Sequence, residues 1–288
     1  MLLVADELPL SPRDMRTLGA ARITLARPVR KHWGRQTIIP LMIRQASLTE
    51  IRGLRAEFLR RSGCQVVRYS RLPRGYAIPF VAEVGGHLVA YGAVQTDDEA
   101  RTLIEFFAEH DSIRNAERLV RDTGVQFIEA QTNMPETLAL VDHFCSERTL
   151  GPLLFADDCD PGLQVEGALF RPRNGQEEIF PHGAEPEGDL VIEFAGKVVA
   201  TGGFLTHYNP PYADLFMEVD PNFRLRGFGS FLIQELRRLC VKEGFIPAAR
   251  CDPANEASAR CLVRGGMARC GQIVTGKVRE DPKVPERA

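Results

Sequence analysis

Two arginines and two glycines separate two apolar segments in the C-terminal half of the chain. The stretch DPNFRLRGFGS, residues 220–230, follows the strand-like LFMEV and precedes the helix-like FLIQELRRLC. This order predicts a loop between a strand end and a helix N-terminus, where main-chain N–H groups lack helical partners and the helix dipole is positive. Gly227 and Gly229 let the backbone approach an anion closely, and Arg224 and Arg226 add positive charge. The sequence therefore predicts a pyrophosphate site.

Two other phosphate-binding signatures do not fit this loop. A P-loop requires GK[S/T] after its glycines, and a dinucleotide fingerprint requires a third glycine and an acidic residue in a parallel βαβ unit. The pattern R-x-x-G-x-G after a strand resembles instead the coenzyme A loop of the GNAT superfamily of N-acyltransferases. A second segment, NEASARCLVRGGM at 255–267, resembles the later helix N-x-x-S-(x)3-Y-(x)3-G-F of that family. The resemblance covers roughly residues 165–278, with both motifs in the family's order.

The resemblance implies acetyl-CoA (coenzyme A) as co-substrate. No metal is expected, because the six histidines show no ligand spacing with cysteines or carboxylates. The pantetheine arm of acetyl-CoA would lie in a gap between two splayed parallel strands, LFMEV and FIPAARC. There it would meet main-chain groups of Met217, Glu218 and Val219. One main-chain N–H there would polarise the thioester carbonyl. The pyrophosphate would be held by the N–H groups of Arg224, Leu225, Arg226, Gly227, Phe228, Gly229 and Ser230. Asn255 would contact the arm, or would serve only as a helix N-cap.

Transfer of an acyl group to an amine requires a base that takes the amine proton, directly or through water. Glu218 is the first candidate because it lies on the strand beside the expected thioester; the alternative is a solvated side chain that points away. Asp214, on the same strand, is the second candidate. His207 and Tyr208 would lie at the mouth of the site, or make ordinary loop contacts around two prolines.

The chain departs from the family pattern at Leu262. Many members have a tyrosine at this position, which protonates the departing thiolate. A thiol with a pKa of about 8–9 is a fair leaving group without such help. The leucine therefore does not exclude activity, but it puts activity in doubt.

The first half of the chain resembles the second. Residues 80–95, FVAEVGGHLVAYGAVQ, align without gaps on 190–205, LVIEFAGKVVATGGFL, and both continue as β-α-β-α. Each segment is predicted to be a β-hairpin with a glycine turn. We expect a duplicated α/β (α+β) chain of two GNAT-like domains, each a mixed, mostly antiparallel twisted sheet flanked by helices. The predicted parts are a basic leader (1–40), a degenerate domain (41–160) and a catalytic acyl-CoA-binding domain (165–280).

The N-terminal copy lacks the glycines of the loop, so we expect it to have lost cofactor binding and to act as a packing partner. The expected assembly is a monomer with two similar halves, or a homodimer. Seven widely spaced cysteines without a CxxC pair indicate reduced thiols, and no apolar run is long enough for a membrane span. We therefore expect a cytoplasmic protein with a small-molecule or peptide amine as acceptor. A net charge of −2 argues against a nucleic-acid partner.

Three other functions are compatible with the sequence. Leu262 and the unassigned base favour a non-catalytic, regulatory acyl-CoA-binding protein. The same fold could decarboxylate an acyl-CoA or transfer a larger acyl group. A nucleic-acid-linked acyltransferase is suggested only by the basic leader. The sequence alone does not identify the acceptor.

Overall fold

The computed structural model describes residues 40–62, 65, 67–96, 100–183 and 185–280. The expected basic leader lies outside these residues, apart from Pro40. The strands are β1 (Leu41–Gln45), β2 (Ala77–Val84), β3 (His87–Gln95), β4 (Thr102–Ala108), β5 (Phe127–Gln131), β6 (Cys145–Asp157), β7 (Ala168–Pro172), β8 (Leu190–Phe194), β9 (Lys197–Asn209), β10 (Tyr212–Val219), β11 (Ile246–Cys251) and β12 (Met267–Val278). The helices are α1 (Leu48–Arg61), α2 (Ser112–Thr123), α3 (Pro135–Phe144), α4 (Phe228–Lys242) and α5 (Glu256–Arg264).

All twelve strands belong to one sheet, in the order β1-β2-β3-β4-β5-β12-β6-β11-β10-β9-β8-β7. Only β4–β5 and β10–β11 pair in parallel; the other neighbours are antiparallel. If β1 is treated as equivalent to β7, β2 to β8, and so on to β6 and β12, the strand order is the same from either edge of the sheet. The last strand of each half is exchanged: β12 lies between β5 and β6, and β6 pairs with β11.

Helices cover the two faces of the sheet unequally. In the first half, α1 packs on one face through Ile51 and Phe58, and α2 and α3 pack on the other through Leu119 and Leu140. A capping box between Ser47 and Glu50 fixes the start of α1. In the second half, α4 and α5 cover one face. The described residues between β7 and β8 form no helix or strand, whereas the equivalent segment between β1 and β2 contains α1.

Charged and polar contacts join the halves beyond the strand exchange. The Arg237 guanidinium on α4 donates from Nε to Asp157 at 2.7 Å and from Nη1 to the Gly265 carbonyl at 3.1 Å. The buried Gln65 donates from Nε2 to the carbonyl oxygen of Ala249 on β11 at 3.0 Å. The first half therefore contributes directly to the region around β11.

The expectation of a mixed, mostly antiparallel sheet flanked by helices is confirmed. The structure joins the two expected sheets into one, because each half's last strand pairs with strands of the other half. The expectation of reduced thiols is wrong for Cys270, which is disulfide-bonded; wide spacing in the sequence does not exclude a pairing that the fold creates. In the described part of the chain, no helix is long and apolar enough to cross a membrane.

Candidate functional site

The gap between β10 and β11 is the central feature of the second half. The two strands pair only from Tyr212 to Asp214, opposite Ile246 to Ala248. Beyond Asp214, β10 continues to pair with β9 as far as Val219, but no longer with β11. Main-chain groups of residues 215–219 on the β11 side are therefore left without strand partners, as a splayed pair of parallel strands requires.

The predicted loop connects this gap to the N-terminus of α4. Gly227 is the N-cap residue of α4 with a φ of 90° and provides no side-chain cap. The first N–H groups of α4 thus have no partner from the helix or its cap. Leu225 also has a positive φ, 64°, and its side chain is fully exposed. Such a backbone presents its N–H groups outward, as an anion site requires.

The two loop arginines are held close to the loop. Arg224 donates from Nε to the carbonyl of Val219 at 3.2 Å. The Arg226 guanidinium lies 5.2 Å from the centre of the Phe223 ring. Both charges therefore lie next to the free end of α4, where they favour an anion.

The side chains on one face of β10 pack against the first turn of α4. A Cβ atom added to Gly229 would lie 2.9 Å from the Cys261 sulfur, 3.2 Å from a Val219 methyl and 3.4 Å from the Met217 methyl. The Ser230 hydroxyl contacts the Cys261 sulfur at 3.6 Å. This close packing places the helix N-terminus directly beside the strand gap.

A cleft of about 300 Å³ opens at the gap, lined by Pro152, Glu185, Leu205, Asp214, Leu215, Phe216, Arg250, Cys251 and Asp252. Asp214 is 6% exposed, and its Oδ2 accepts hydrogen bonds from Asn209 at 3.1 Å and Arg250 at 3.2 Å. Its Oδ1 is buried without a hydrogen-bond partner. Burial raises the pKa of Asp214, against the opposing effects of Arg250 and His207.

Glu218 lies on the same face of β10 and binds the segment between β7 and β8. Its carboxylate accepts the N–H groups of Gly183 at 2.9 Å and Glu185 at 3.3 Å. The His182 Nδ1 lies 3.0 Å from the Glu185 carbonyl, which only accepts, so Nδ1 bears a hydrogen. The His182 Nε2 lies 3.0 Å from the Thr201 hydroxyl. The Glu218 side chain therefore anchors the segment that carries Glu185 to the wall of the cleft.

Two residues of the second motif have structural roles in α5. Asn255 is the N-cap of α5 and accepts the Ser258 N–H at 3.0 Å. Leu262 is buried in the core against α4. Its side chain therefore packs in the interior and does not line the cleft. The rings of His207 and Tyr208 contact each other in the β9–β10 hairpin, with centres 3.9 Å apart and planes tilted by 41°.

The corresponding gap in the first half is filled. β4 and β5 pair only at Thr102–Leu103, so they also splay. Bidentate ion pairs occupy this region: Arg55 with Glu105 at 2.9 and 2.8 Å, and Arg68 with Glu129 at the same distances. The remaining cavity has a volume of about 20 Å³. This is room for about one water molecule.

Sequence reasoning missed Glu185, His182 and Arg250 as site residues. Glu185 lies in a segment without a motif, and partial burial and the nearby Glu218 charge raise its pKa. The signal that could have indicated this segment is its length, because it is shorter than the segment between β1 and β2 that contains α1. In the part of the chain that the structure describes, no group of three or more metal-binding side chains is found.

Residues 157–267 match the model of the acetyltransferase (GNAT) family. Among solved structures, a GNAT-family acetyltransferase from Colwellia psychrerythraea aligns with a TM-score of 0.60 at 16% identity, over 83% of this chain and 100% of that one. A GCN5-related N-acetyltransferase from Sphaerobacter thermophilus gives 0.53 at 15%, over 84% and 97%. A tandem GNAT protein from the clavulanic acid biosynthesis pathway gives 0.51 at 11%, over 84% and 100%. These likenesses show the fold, and no curated protein matches.

Proposed function

From the match of residues 157–267 to the GNAT acetyltransferase family, we propose that this protein is an acetyl-CoA-dependent N-acyltransferase. The acceptor is an amine that attacks the thioester directly. One observation carries the proposal: the parallel pairing of β10 and β11 stops at Asp214, and the gap leads to an uncapped helix N-terminus preceded by RLRGFG. The gap and the helix end suit the pantetheine arm and the pyrophosphate of one extended ligand.

The residues of the gap fit coenzyme A by their chemistry. Met217, Glu218 and Val219 lie beyond Asp214, where β10 no longer pairs with β11, so their stretch of main chain can bind an amide-containing arm. The N–H groups of residues 224–230 and the two loop arginines match a pyrophosphate in charge and hydrogen bonding. When bound, acetyl-CoA supplies the electrophilic thioester carbonyl. A β10 N–H stabilises the charge that develops on its oxygen.

We assign the base to Asp214 and a positioning role to Glu218. The unpartnered Oδ1 of Asp214 can accept a proton from the attacking amine, and a raised pKa makes the carboxylate a stronger base at neutral pH. Both Glu218 oxygens already accept main-chain N–H groups of the β7–β8 segment. Glu218 therefore holds that segment, and with it one wall of the cleft.

The departing thiolate leaves without a protein acid in this proposal. Leu262 is buried, so it contributes packing where a tyrosine would donate a proton. A thiol pKa of about 8.5 makes the thiolate a tolerable leaving group near neutral pH. The first half acts as a scaffold, because its own gap is filled by ion pairs and its last strand borders β11.

Thiol release from acetyl-CoA in the presence of a panel of primary amines tests this proposal. We expect release that depends on the amine, with the acetylated amine identified by mass spectrometry. Asp214→Asn should keep coenzyme A binding and lose most of the turnover. Tight coenzyme A binding without turnover on any amine would instead support a non-catalytic acyl-CoA-binding protein.

A further inference from the structure

The acidic character of the cleft bears on the identity of the acceptor. Three carboxylates and one guanidinium line it: Glu185, Asp214, Asp252 and Arg250. Arg250 donates to Asp214, so these two charges compensate each other. Among the described residues, neither Glu185 nor Asp252 forms an ion pair with a basic side chain. Two carboxylates without an ion pair among the described residues therefore border the cleft, although Arg250 and His182 lie close enough to attract the Glu185 charge.

A second observation shows that the cleft is suited to bind a ligand. Asp214 is more than nine-tenths buried, yet its Oδ1 has no donor. A buried polar atom without a partner is unfavourable, so such an atom marks a position that a ligand donor can satisfy. Asp214, Glu185 and Asp252 line one cleft. Together they match a molecule with two separated basic nitrogens.

Resting on the proposed function, we infer that the acceptor is a small amine with a second cationic group. The reacting nitrogen lies at Asp214 Oδ1, and the second, protonated nitrogen lies near Glu185 and Asp252. The apolar walls formed by Leu205, Phe216 and Pro152 suit a short aliphatic spacer. Glu218 accepts the Glu185 N–H and so holds the segment that forms one wall of the cleft. The same hydrogen bond positions the Glu185 carboxylate that would select a cationic ligand.

Three acceptors of similar length test this inference. They are 1,4-diaminobutane, n-pentylamine, which replaces the distal ammonium with a methyl group, and 4-aminobutanoate, which has an anionic end. With acetyl-CoA saturating, we expect kcat/KM for the diamine to exceed that for n-pentylamine by about tenfold or more, beyond the statistical factor of two. The anionic acceptor should be the poorest, since like charges in the cleft repel.

Removal of the negative charges of Glu185 and Asp252 should abolish this preference. In the double variant Glu185→Gln and Asp252→Asn, the diamine-to-pentylamine ratio should fall to near two. The matched control is Glu187→Gln, which removes a nearby charge that pairs with Arg173 and does not line the cleft. This control should keep the ratio of the unmodified protein. An equal or reversed preference in the unmodified protein would overturn the inference.

A binding measurement separates this inference from the proposed function. Titration of 1,4-diaminobutane into the protein saturated with free coenzyme A should show binding that the double variant weakens about tenfold or more. If this binding occurs but no amine is acetylated, the proposed function fails and the cationic ligand stands. If n-pentylamine is acetylated but the diamine neither binds better nor reacts faster, the cationic ligand fails and the proposed function stands. Absence of both binding and transfer would overturn both.

Discussion

The placement of β12 predicts that the second half cannot fold alone as it does in the full chain. β12 pairs with β6 from Met267 to Val278 and with β5 from Ile273 to Lys277. Both neighbours belong to the first half. A fragment of residues 165–288 therefore leaves β12 without any of its strand partners, and exposes the edge of β11 that β6 covers.

The cost of this truncation can be worked from two buried side chains. Ile273 is 6% exposed and packs with Leu154, and Val274 is 4% exposed in the core that includes Leu140. Exposure of two such side chains costs about 3–6 kcal/mol at about 1.5–3 kcal/mol each. A domain's total free energy of unfolding is about 5–15 kcal/mol, so this loss alone removes much of it. The open strand edges also favour association.

Size-exclusion chromatography and thermal unfolding of the 165–288 fragment test this prediction. We expect an insoluble product or an oligomer. Co-expression of 1–164 with 165–288 is the matched control, because the two pieces together contain every strand of the sheet. It should restore a soluble one-to-one complex. A monomeric 165–288 fragment that unfolds at the same temperature as the full chain would refute the reasoning.

Three further predictions concern single residues. Asp214→Asn should lower kcat by about 10²–10⁴-fold. In the unmodified protein, kcat should fall as the pH decreases through the raised pKa of Asp214, because the protonated carboxyl cannot accept the amine proton. A kcat that stays constant down to the ordinary aspartate pKa would contradict this. Glu218→Gln replaces one acceptor oxygen with a donor, so it should speed proteolysis near residue 183 and raise KM for the amine, while calorimetry gives unchanged coenzyme A affinity. Arg55→Met removes the ion-pair partner of the buried Glu105 carboxylate and leaves it the Tyr91 hydroxyl as a donor. It should lower the free energy of unfolding, measured in urea, by about 3–5 kcal/mol, with no change in coenzyme A affinity.

The strand–loop–helix arrangement around residues 220–230 could be predicted from sequence because its determinants are local. Gly227 and Gly229 stand at fixed distances from a strand end and a helix start, and backbone conformation at such positions depends little on distant residues. The same holds for the N-cap role of Asn255, which follows from residue type and position. Period-two alternation along β10 also places Asp214 and Glu218 on one face.

The strand exchange could not be predicted, because a strand's own residues do not specify its neighbours. β12 presents the same alternating pattern whether it pairs with β11 or with β5 and β6. The choice depends on contacts distant in sequence, such as those of Ile273 with the first half. The role of Glu185 was hidden for a similar reason: its segment is positioned by hydrogen bonds to Glu218, more than thirty residues away.

Calorimetric titration of acetyl-CoA into the full-length protein tests the central claim most directly. We predict one site per chain, lost in Gly227→Glu, because a carboxylate there would repel the pyrophosphate. The matched control is Gly244→Glu at the opposite end of α4, where φ is 87° against 90° at Gly227, so both substitutions carry similar backbone strain. Gly244→Glu should bind as the unmodified protein does. Two sites per chain would contradict the conclusion that ion pairs fill the gap between β4 and β5. Binding that survives Gly227→Glu would contradict the assignment of residues 224–230 as the pyrophosphate site.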